Sequence, residues 1–242
     1  MSEPDHKLSR VCILAGGLGT RLGDDVREVP KPLLQVAGEP FLLHQLRLLS
    51  AAGAHEVVLC VGYMGDRIEQ TLGSEQFGIR IKYSHDGPEL DGTLGAIRRA
   101  APLLGERFLT LYGDTYLRID YRAFDTSWKS SGLPAAMTVL RNRGKWNSSN
   151  AVFVDGVVTR YDKHSHTPDM EWIDYGLGGL TAEALHLVGA EYRDLADLHH
   201  ALAARGLLYG FEAVNRFYDI GTREGLNETD NFLRRERQRE IK

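Results

Sequence analysis

A glycine-rich segment near the start of the chain carries the strongest chemical signal in the sequence. It runs Leu14-Ala15-Gly16-Gly17-Leu18-Gly19-Thr20-Arg21-Leu22, and Pro30-Lys31-Pro32 follows it. Glycines allow backbone N–H groups to close on a polyphosphate, because no Cβ blocks the approach. Arg21 and Lys31 add positive charge to the same region. An ordinary strand-to-helix turn also uses glycine, but the two cations favour a phosphate-binding loop.

The spacing of the glycines excludes two common phosphate loops. A P-loop requires G-x-x-x-x-G-K-[ST], which the segment does not contain. The dinucleotide fingerprint G-x-G-x-x-G, started at Gly17, requires a glycine at the position where Leu22 stands. The sequence therefore predicts a phosphate loop of neither kind.

Two aspartates at the ends of apolar runs are candidate metal ligands. Asp114 ends the run Thr110-Leu111-Tyr112-Gly113-Asp114, and Asp219 follows Phe217-Tyr218. Ligands bind at the carboxyl ends of the strands in open α/β sheets, and two carboxylates there could hold one Mg²⁺ ion. Each aspartate alone could equally be a turn or helix-cap residue. A shared ion requires that both runs end at the same edge of one sheet.

The elements that would position these residues alternate between strands and helices in the first half of the chain. Strand-like apolar runs cover 11–15, 56–61, 79–83 and 108–111, and helical spacing covers 41–52, 66–72 and 93–104. This alternation predicts βαβ units and a parallel sheet, which is an α/β fold.

The second half of the chain is predicted to be richer in strands. Strand-like runs cover 135–140, 151–154, 157–161, 207–211 and 216–220, and helical patterns cover 191–204 and a last helix from Thr222. No repeat or linker divides the chain. We therefore predict one domain over 1–242, with a first half at about 9–123, a second half at about 124–221 and a C-terminal helix at 222–242.

The composition is that of an ordinary globular protein. The 242 residues are 43% hydrophobic and 26% charged, and the net charge is −4. These values exclude a disordered chain and a globally basic nucleic-acid binder, and no apolar run is long enough to span a bilayer. We expect neither nucleic acid nor a membrane as a partner, while a homo-oligomer stays open.

The two cysteines indicate a reducing compartment. Cys12 and Cys60 each lie within an apolar run and are predicted to be buried thiols, which suits the cytoplasm. The polar segment from Met1 to Arg10 does not contain the apolar stretch of a signal peptide. A cytoplasmic location is therefore expected.

Taken together, these motifs resemble the signature of the sugar-1-phosphate nucleotidyltransferases. That signature combines an apolar strand, A-G-G-x-G-T-R-L, P-K-P, a Gly-Asp pair matched by Gly113-Asp114, and a segment matched by Asp219-Ile220-Gly221-Thr222. The resemblance covers nearly the whole chain, and the length is similar to that of the short members that activate heptose or N-acetylmuramic acid phosphates. It implies a Rossmann-like, mostly parallel sheet flanked by helices, with a β-rich insertion in the second half. It also implies that residues 9–123 bind the nucleotide (the nucleotide half) and that residues 124–221 bind the sugar phosphate (the acceptor half).

The resemblance also implies a reaction and its residues. A nucleoside triphosphate and a sugar 1-phosphate would give a nucleotide sugar and pyrophosphate, by in-line attack on the α-phosphate. Arg21 would brace the departing pyrophosphate, and Lys31 would stabilise charge on the α-phosphate. Asp114 and Asp219 would hold Mg²⁺. The nucleotide would lie on the glycine segment and on Gly92-Thr93, which matches a family segment under the nucleoside.

The residues expected to contact the base depart from the family pattern. Members that use UTP or dTTP often carry a glutamine before Gly92, whereas this chain has Asp86 and Glu89. Carboxylates only accept hydrogen bonds, so they suit the donor-rich edge of guanine, or the amino group of cytosine, better than uracil. Solvated loop residues would look the same, but the sequence favours guanine.

The residues expected to contact the sugar phosphate depart further from the family pattern. Lys163 matches a family lysine that meets the sugar phosphate, with Asp162 in place of the usual glutamate. Asp174 and Tyr175 stand where the family has an asparagine-rich segment that grips sugar hydroxyls, and Asn150 is a further candidate. A heptose or hexose 1-phosphate is expected. A cytidylyltransferase for a phosphorylated alcohol, such as phosphocholine or a polyol phosphate, and a non-catalytic nucleotide-sugar sensor stay open as alternatives.

Overall fold

The structure is a computed structural model that describes residues 7–17, 22, 28–87, 91–146 and 148–240. The strands of the first half begin with a short buried strand that leads into the glycine segment. Their bounds are β1 (Arg10–Leu14), β2 (Gln35–Val36), β3 (Glu39–Pro40), β4 (Glu56–Val61), β5 (Glu75–Gln76), β6 (Ile79–His85), β7 (Arg107–Tyr112) and β8 (Thr115–Tyr116). The strands of the second half are β9 (Ala135–Arg141), β10 (Ala151–Val154), β11 (Val157–Tyr161), β12 (Trp172–Thr181), β13 (Leu208–Ala213) and β14 (Tyr218–Asp219).

Six helices flank the sheet in the part of the chain that the structure describes. They are α1 (Phe41–Ala51), α2 (Gly65–Leu72), α3 (Gly92–Leu104), α4 (Tyr121–Ser131), α5 (Leu195–Ala203) and α6 (Arg223–Glu240). Apolar side chains of α1, α2 and α4 form one buried cluster against the sheet, and those of α3 and α5 form another. Helices therefore cover both faces, and the predicted α/β class is confirmed.

A ten-stranded sheet runs through both halves in the order β10-β11-β13-β9-β12-β7-β1-β4-β6-β5. Strands β7, β1, β4 and β6 are mutually parallel, and every residue of β4 is buried, as a strand covered on both faces requires. Their carboxyl ends consequently meet at one edge of the sheet. The glycine segment and Asp114 follow two of these strands, so the chain delivers both to that edge.

The acceptor half makes the sheet mixed. Strand β12 runs antiparallel to both β7 and β9, and β13 runs parallel to β9. The register of β12 against β9 shifts between Asp174 and Gly178. The predicted parallel arrangement therefore describes the nucleotide half, while the β-rich part of the chain adds antiparallel pairs.

A two-stranded ribbon joins the C-terminal segment to the nucleotide half. Strand β14 pairs antiparallel with β8, so that Asp219 lies opposite Thr115. The hydroxyl of Thr222 then accepts from the Gly225 N–H at 3.0 Å, which caps the first turn of α6. The last helix begins here, as predicted.

Two further findings concern the expected compartment and partners. Cys12 and Cys60 are free and buried, with their Sγ atoms 3.4 Å apart, so the prediction of two buried thiols is confirmed. Across the described ranges, the structure contains no helix with both the length and the apolar character needed to cross a membrane.

Candidate active site

The glycine segment leaves β1 beside the turns that follow β4 and β7. A Cβ on Gly16 would lie 3.1 Å from the backbone nitrogen of Gly62, and a Cβ on Gly113 would lie 2.9 Å from the carbonyl oxygen of Leu14. Ala15 is buried, and its N–H donates to the Cys60 carbonyl at 2.8 Å. Glycine is thus required at two of these positions because three backbone segments meet there.

Part of the predicted loop lies within the described residues. Leu14 to Gly17 are described, and a Cβ built on Gly17 has no atom of the described residues within 4 Å. Gly19, Thr20 and Arg21 lie outside the described residues, as does Glu89. The predicted roles of these four residues therefore stay predictions.

Asp86 lies against the glycine segment. A Cβ on Gly62 would lie only 2.5 Å from Asp86 Oδ2, so the carboxylate fills the space that this glycine leaves open. The Oδ1 atom is buried and has no hydrogen-bond partner among the described residues. Burial raises the pKa of the Asp86 carboxyl above its usual value; Asp91 adds to the shift, and Arg99 opposes it. The Asp86 carboxylate thus lies beside the glycine segment, with Oδ2 against Gly62 and with Oδ1 buried and without a partner among the described residues.

Lys31 and Asp114 form an ion pair at the same edge of the sheet. The Lys31 Nζ atom lies 2.5 Å from Asp114 Oδ2, and the exposed fractions of the two side chains are 11% and 31%. Lys31 begins a single-turn 3-10 helix, Lys31–Leu33, after Pro30. The hydroxyl of Thr115 donates to Asp114 Oδ1 at 3.1 Å, so both carboxylate oxygens have partners.

Asp219 reaches the same place from the other end of the chain. The Ile220 N–H donates to the carbonyl oxygen of Asp114 at 2.9 Å, which fixes the two aspartate-bearing segments side by side. Asp219 Oδ1 accepts from the Gly221 N–H at 2.8 Å. The segments that carry Asp114 and Asp219 therefore lie side by side, but the β8–β14 ribbon brings them together, and not the expected common edge of the ten-stranded sheet.

The donor set fits a magnesium ion. Within the described ranges no group of three or more His, Cys, Asp or Glu side chains is arranged to hold a metal. A pair of carboxylates suits Mg²⁺, which is usually held by one or two carboxylates and completes its shell with water and substrate phosphates. When bound, the ion would neutralise phosphate charge and bridge phosphate oxygens.

Asp174, which is predicted to contact the acceptor, lies in a network of hydrogen bonds. Its Oδ1 accepts from the Gly176 N–H at 2.9 Å, and its Oδ2 accepts from the Tyr161 hydroxyl at 3.4 Å. The Asp174 N–H donates to Asn150 Oδ1 at 3.0 Å. Burial raises the pKa of Asp174, while its hydrogen bonds and the charge of Lys163 oppose the shift. Asn150, Tyr161 and Asp174 thus form one connected polar group.

The sequence profile of the MobA-like NTP transferase domain matches residues 11–217. The chain belongs to the MobA-like NTP transferase family. The match includes the glycine segment, Lys31, Asp86 and Asp114 and ends just before Asp219, Ile220 and Gly221.

Relatives support this assignment. The chain is 42% identical over 220 residues to mannose-1-phosphate guanyltransferase beta-B of Xenopus laevis, covering 88% of this chain and 61% of that protein. It is 39% identical over 108 residues to D-glycero-alpha-D-manno-heptose 1-phosphate guanylyltransferase of Campylobacter jejuni, covering 45% and 48%. HddC from Yersinia pseudotuberculosis matches in structure with a TM-score of 0.75 and 25% identity, covering 93% and 99%. The resemblance to sugar-1-phosphate nucleotidyltransferases is therefore confirmed, although the chain spans only about 61% of the Xenopus relatives.

The NTP transferase domain uses Gly92 and Thr93 to join its two halves. Gly92 has φ +71°, and a Cβ there would lie 2.5 Å from the Arg193 carbonyl oxygen. The Thr93 hydroxyl donates to Asp194 Oδ1 at 3.1 Å and accepts from the Leu195 N–H at 2.7 Å. This ties the start of α3 to the N-cap of α5. The predicted nucleotide contact of Thr93 is thus accompanied by a structural role that the sequence did not indicate.

Lys163 and Tyr175 lie in different surroundings. The Lys163 Nζ atom is 3.7 Å from Asp194 Oδ2, and both side chains are about half exposed. Tyr175 is only 1% exposed and packs edge-on against Phe217 in the core, with its ring centroid 5.8 Å from that of Phe217. Side chains alternate along β12, so the side chains of Asp174 and Tyr175 lie on opposite faces of the sheet, and that of Tyr175 enters the core. The buried position of Tyr175 does not favour the predicted contact with substrate.

Sequence reasoning missed two residues that lie close to Asp114. The buried Gln45 on α1 donates from Nε2 to the carbonyl oxygens of Tyr112 at 2.8 Å and Thr115 at 2.6 Å, so it braces the turn that carries Asp114. Tyr112 ends β7 within electrostatic reach of Asp174, Asp194 and Asp114, and burial raises its pKa far above the usual value. Gln45 is far from Asp114 in the sequence, and only the fold brings it to this turn.

Proposed function

We propose that the chain is a magnesium-dependent nucleotidyltransferase that joins a nucleoside monophosphate unit to a sugar 1-phosphate. The observation that carries the proposal is the convergence of Lys31, Asp114 and Asp219 at the edge where the glycine segment begins. A phosphate loop, a cation and two carboxylates at one edge suit a reaction between two phosphate-bearing substrates.

The proposed reaction is a single displacement at the α-phosphorus. An oxygen of the acceptor phosphate forms the new P–O bond, and the bond from the α-phosphorus to the bridging oxygen of the β-phosphate breaks. Pyrophosphate leaves with the bonding electrons. Positioning and charge neutralisation carry such transfers, so no covalent protein intermediate is required. Lys31 would stabilise the α-phosphate, and Asp114 with Asp219 would hold Mg²⁺.

Guanine is the base that the site supports best. Asp86 lies beside Gly16 and Gly62 through Oδ2, and its buried Oδ1 has no hydrogen-bond partner among the described residues. The N–H groups on the Watson–Crick edge of guanine could both donate to such a carboxylate, whereas uracil offers a single donor between two acceptors. The names of the Xenopus and Campylobacter relatives support the same base and a hexose or heptose 1-phosphate acceptor.

One observation favours a second candidate. Asp174 is a buried carboxylate where the family pattern has asparagine, and it could balance a positive charge on the acceptor. A cytidylyltransferase that uses a cationic alcohol phosphate, such as phosphocholine, would place that charge there.

A matrix of nucleotides and acceptors separates these functions. Each of GTP, CTP, UTP and dTTP is incubated with mannose 1-phosphate, a heptose 1-phosphate or phosphocholine, with Mg²⁺, and the products are identified by mass. We expect a GDP-sugar together with one equivalent of pyrophosphate. A CDP-alcohol would support the second candidate. Nucleotide binding without any pyrophosphate release would contradict both and favour a sensor.

A further inference from the structure

One cation and one carboxylate of the site are engaged with each other. Lys31 Nζ lies 2.5 Å from Asp114 Oδ2, and Thr115 Oγ1 donates to the remaining oxygen at 3.1 Å. The pair is sheltered, because only 11% of Lys31 and 31% of Asp114 are exposed. Water therefore screens this attraction less than it screens an open surface pair.

The backbones on both sides of the pair are fixed. Pro30 and Pro32 flank Lys31, and the Leu33 and Leu34 N–H groups close the turn onto the carbonyl oxygens of Pro30 and Lys31. Asp114 is held through its own carbonyl by the Ile220 N–H. Any change of partner must therefore come from the side chains, and the four-carbon stem of Lys31 allows its ammonium to swing.

The proposed chemistry asks each member of this pair to contact something else. Lys31 would contact the α-phosphate, and Asp114 would be a ligand of Mg²⁺. An ammonium and a divalent ion repel each other strongly when both approach one carboxylate. Lys31 and the metal are consequently alternative partners of Asp114.

We propose that Lys31 is the resident counter-ion of Asp114 and keeps divalent ions off this carboxylate until a nucleoside triphosphate arrives. The triphosphate supplies negative oxygens that draw the ammonium away, and the metal that accompanies the nucleotide takes its place on Asp114. The metal and the nucleotide would then enter together. This inference rests on the proposed function, because it takes Asp114 as a metal ligand.

The proposal gives Lys31 opposite effects in two measurements. Without nucleotide, removing the ammonium frees Asp114, so a divalent ion should bind more tightly to the Lys31→Ala variant than to the unchanged protein. During turnover the same variant should be slow, because the α-phosphate has lost its cation. A lysine that merely shaped the site would weaken both metal binding and turnover.

The experiment is a Mn²⁺ titration of the nucleotide-free protein, read from the electron paramagnetic resonance signal of free Mn²⁺. We expect Lys31→Ala to lower the Kd by about tenfold or more, the scale of a close charge pair. Lys82→Ala is the matched control, because it removes the same charge from a cluster in which Arg10 and Arg80 still pair with Glu56. Its Kd should stay within about twofold of the unchanged protein.

Two further variants identify what has failed if the result differs. The double variant Lys31→Ala, Asp114→Asn should lose the tighter binding, while circular dichroism verifies that each variant is folded. An unchanged or higher Kd in folded Lys31→Ala would overturn the counter-ion role and leave the proposed function intact. Binding that Asp114→Asn does not weaken, in either background, would instead remove Asp114 as the metal ligand and contradict the proposed function.

Discussion

The two halves of the molecule build their parts of the site in different ways. In the nucleotide half, the glycine segment and Asp114 follow adjacent parallel strands, and backbone contacts such as Gly113 N–H to the Leu14 carbonyl at 2.9 Å hold them together. In the acceptor half, Asp174 lies within an antiparallel strand next to a register shift, and side chains from two other strand segments surround it.

The first half of the site thus depends mainly on strand topology, and the second half depends mainly on the identity of individual side chains. Strand ends of a parallel sheet always meet at one edge, so the topology of the first half brings the glycine segment and Asp114 together. In the second half, we expect a change of side chain to alter which acceptor is bound and to leave the sheet unchanged. Substitutions in the first half should therefore abolish turnover, while those in the second should redirect it.

The largest effect is expected where the two ends of the chain meet. Asp114→Asn and Asp219→Asn preserve size but remove charge, and each should lower kcat by about 1,000-fold, the upper range for the loss of one charge-stabilising group. The double variant should be little worse than either single variant, because residues that act as one unit fail together. Steady-state kinetics with circular dichroism as a check on folding would measure this. If the kcat losses of the two single variants instead multiplied in the double variant, the two aspartates would act independently and would not share an ion.

The second largest loss of kcat is expected for Lys31→Ala. Removal of the cation from the α-phosphate should lower kcat by about 100-fold, while the KM for the nucleotide changes much less. Lys31→Arg, which retains the charge but not the length, should recover only part of the rate. A normal kcat in Lys31→Ala would remove this residue from the mechanism and weaken the contrast between the halves.

Asp86→Asn tests base recognition within the nucleotide half. The amide introduces a donor against a donor-rich base, so the ratio of kcat/KM for GTP over UTP should fall by about 10-fold to 100-fold. Asp66→Asn, at a carboxylate that is 89% exposed, is the control and should leave the ratio unchanged. A native protein that uses all nucleotides equally would show that Asp86 does not contact the base.

Asp174→Asn addresses the acceptor half. We expect the KM for the acceptor to change by about tenfold, the effect of one polar contact, while the KM for the nucleotide stays constant. Because burial raises the pKa of Asp174, its carboxylate takes up a proton at a higher pH than an ordinary aspartate does. The acceptor KM of the native protein should consequently rise as the pH falls through that raised pKa, and the variant should not show this acidic limb. If the KM for the nucleotide changed as much as the KM for the acceptor, Asp174 would not act on the acceptor alone, which would contradict this prediction.

His199 is expected to affect stability but not turnover. It is buried on α5, neither ring nitrogen has a partner among the described residues, and burial lowers its pKa to about 4. Between pH 6.5 and about 4, His199 is protonated in the unfolded chain but neutral in the folded protein. The free energy of unfolding should therefore decrease as the pH falls, by at most about 3 kcal/mol. Denaturant unfolding should show that His199→Leu flattens this dependence, whereas the exposed His186→Leu does not. Equal pH dependence in both variants would exclude His199 as its source.

The sequence predicts the nucleotide half well, because its signals are local. Apolar runs, glycines and an acidic residue at a strand end identified β1, β4, β7 and Asp114 within a residue or two of their observed bounds. The position of Asp219 did not follow from this logic, because β14 pairs with β8 in a separate ribbon and is not a strand of the ten-stranded sheet.

The acceptor half was less predictable because its signals depend on tertiary packing. Strand β12 contains three glycines and does not look like a strand, yet a Cβ on Gly179 would lie 2.6 Å from the Trp128 ring of α4. Helix α4 itself escaped prediction, although Asp120 caps it by accepting from the Ala123 N–H at 2.9 Å. Because β12 and its register were not predicted, the sequence could not show that the side chains of Asp174 and Tyr175 lie on opposite faces of the sheet.

The most direct test of the central claim is a crystal structure with Mn²⁺ and a non-hydrolysable GTP analogue, in which anomalous scattering locates the metal. The proposal predicts one ion coordinated by carboxylates of both Asp114 and Asp219 and by phosphate oxygens, with Lys31 at the α-phosphate and the guanine edge on Asp86. A metal bound away from one of the two aspartates, or a nucleotide at another edge of the sheet, would contradict the claim that the two ends of the chain form one catalytic centre.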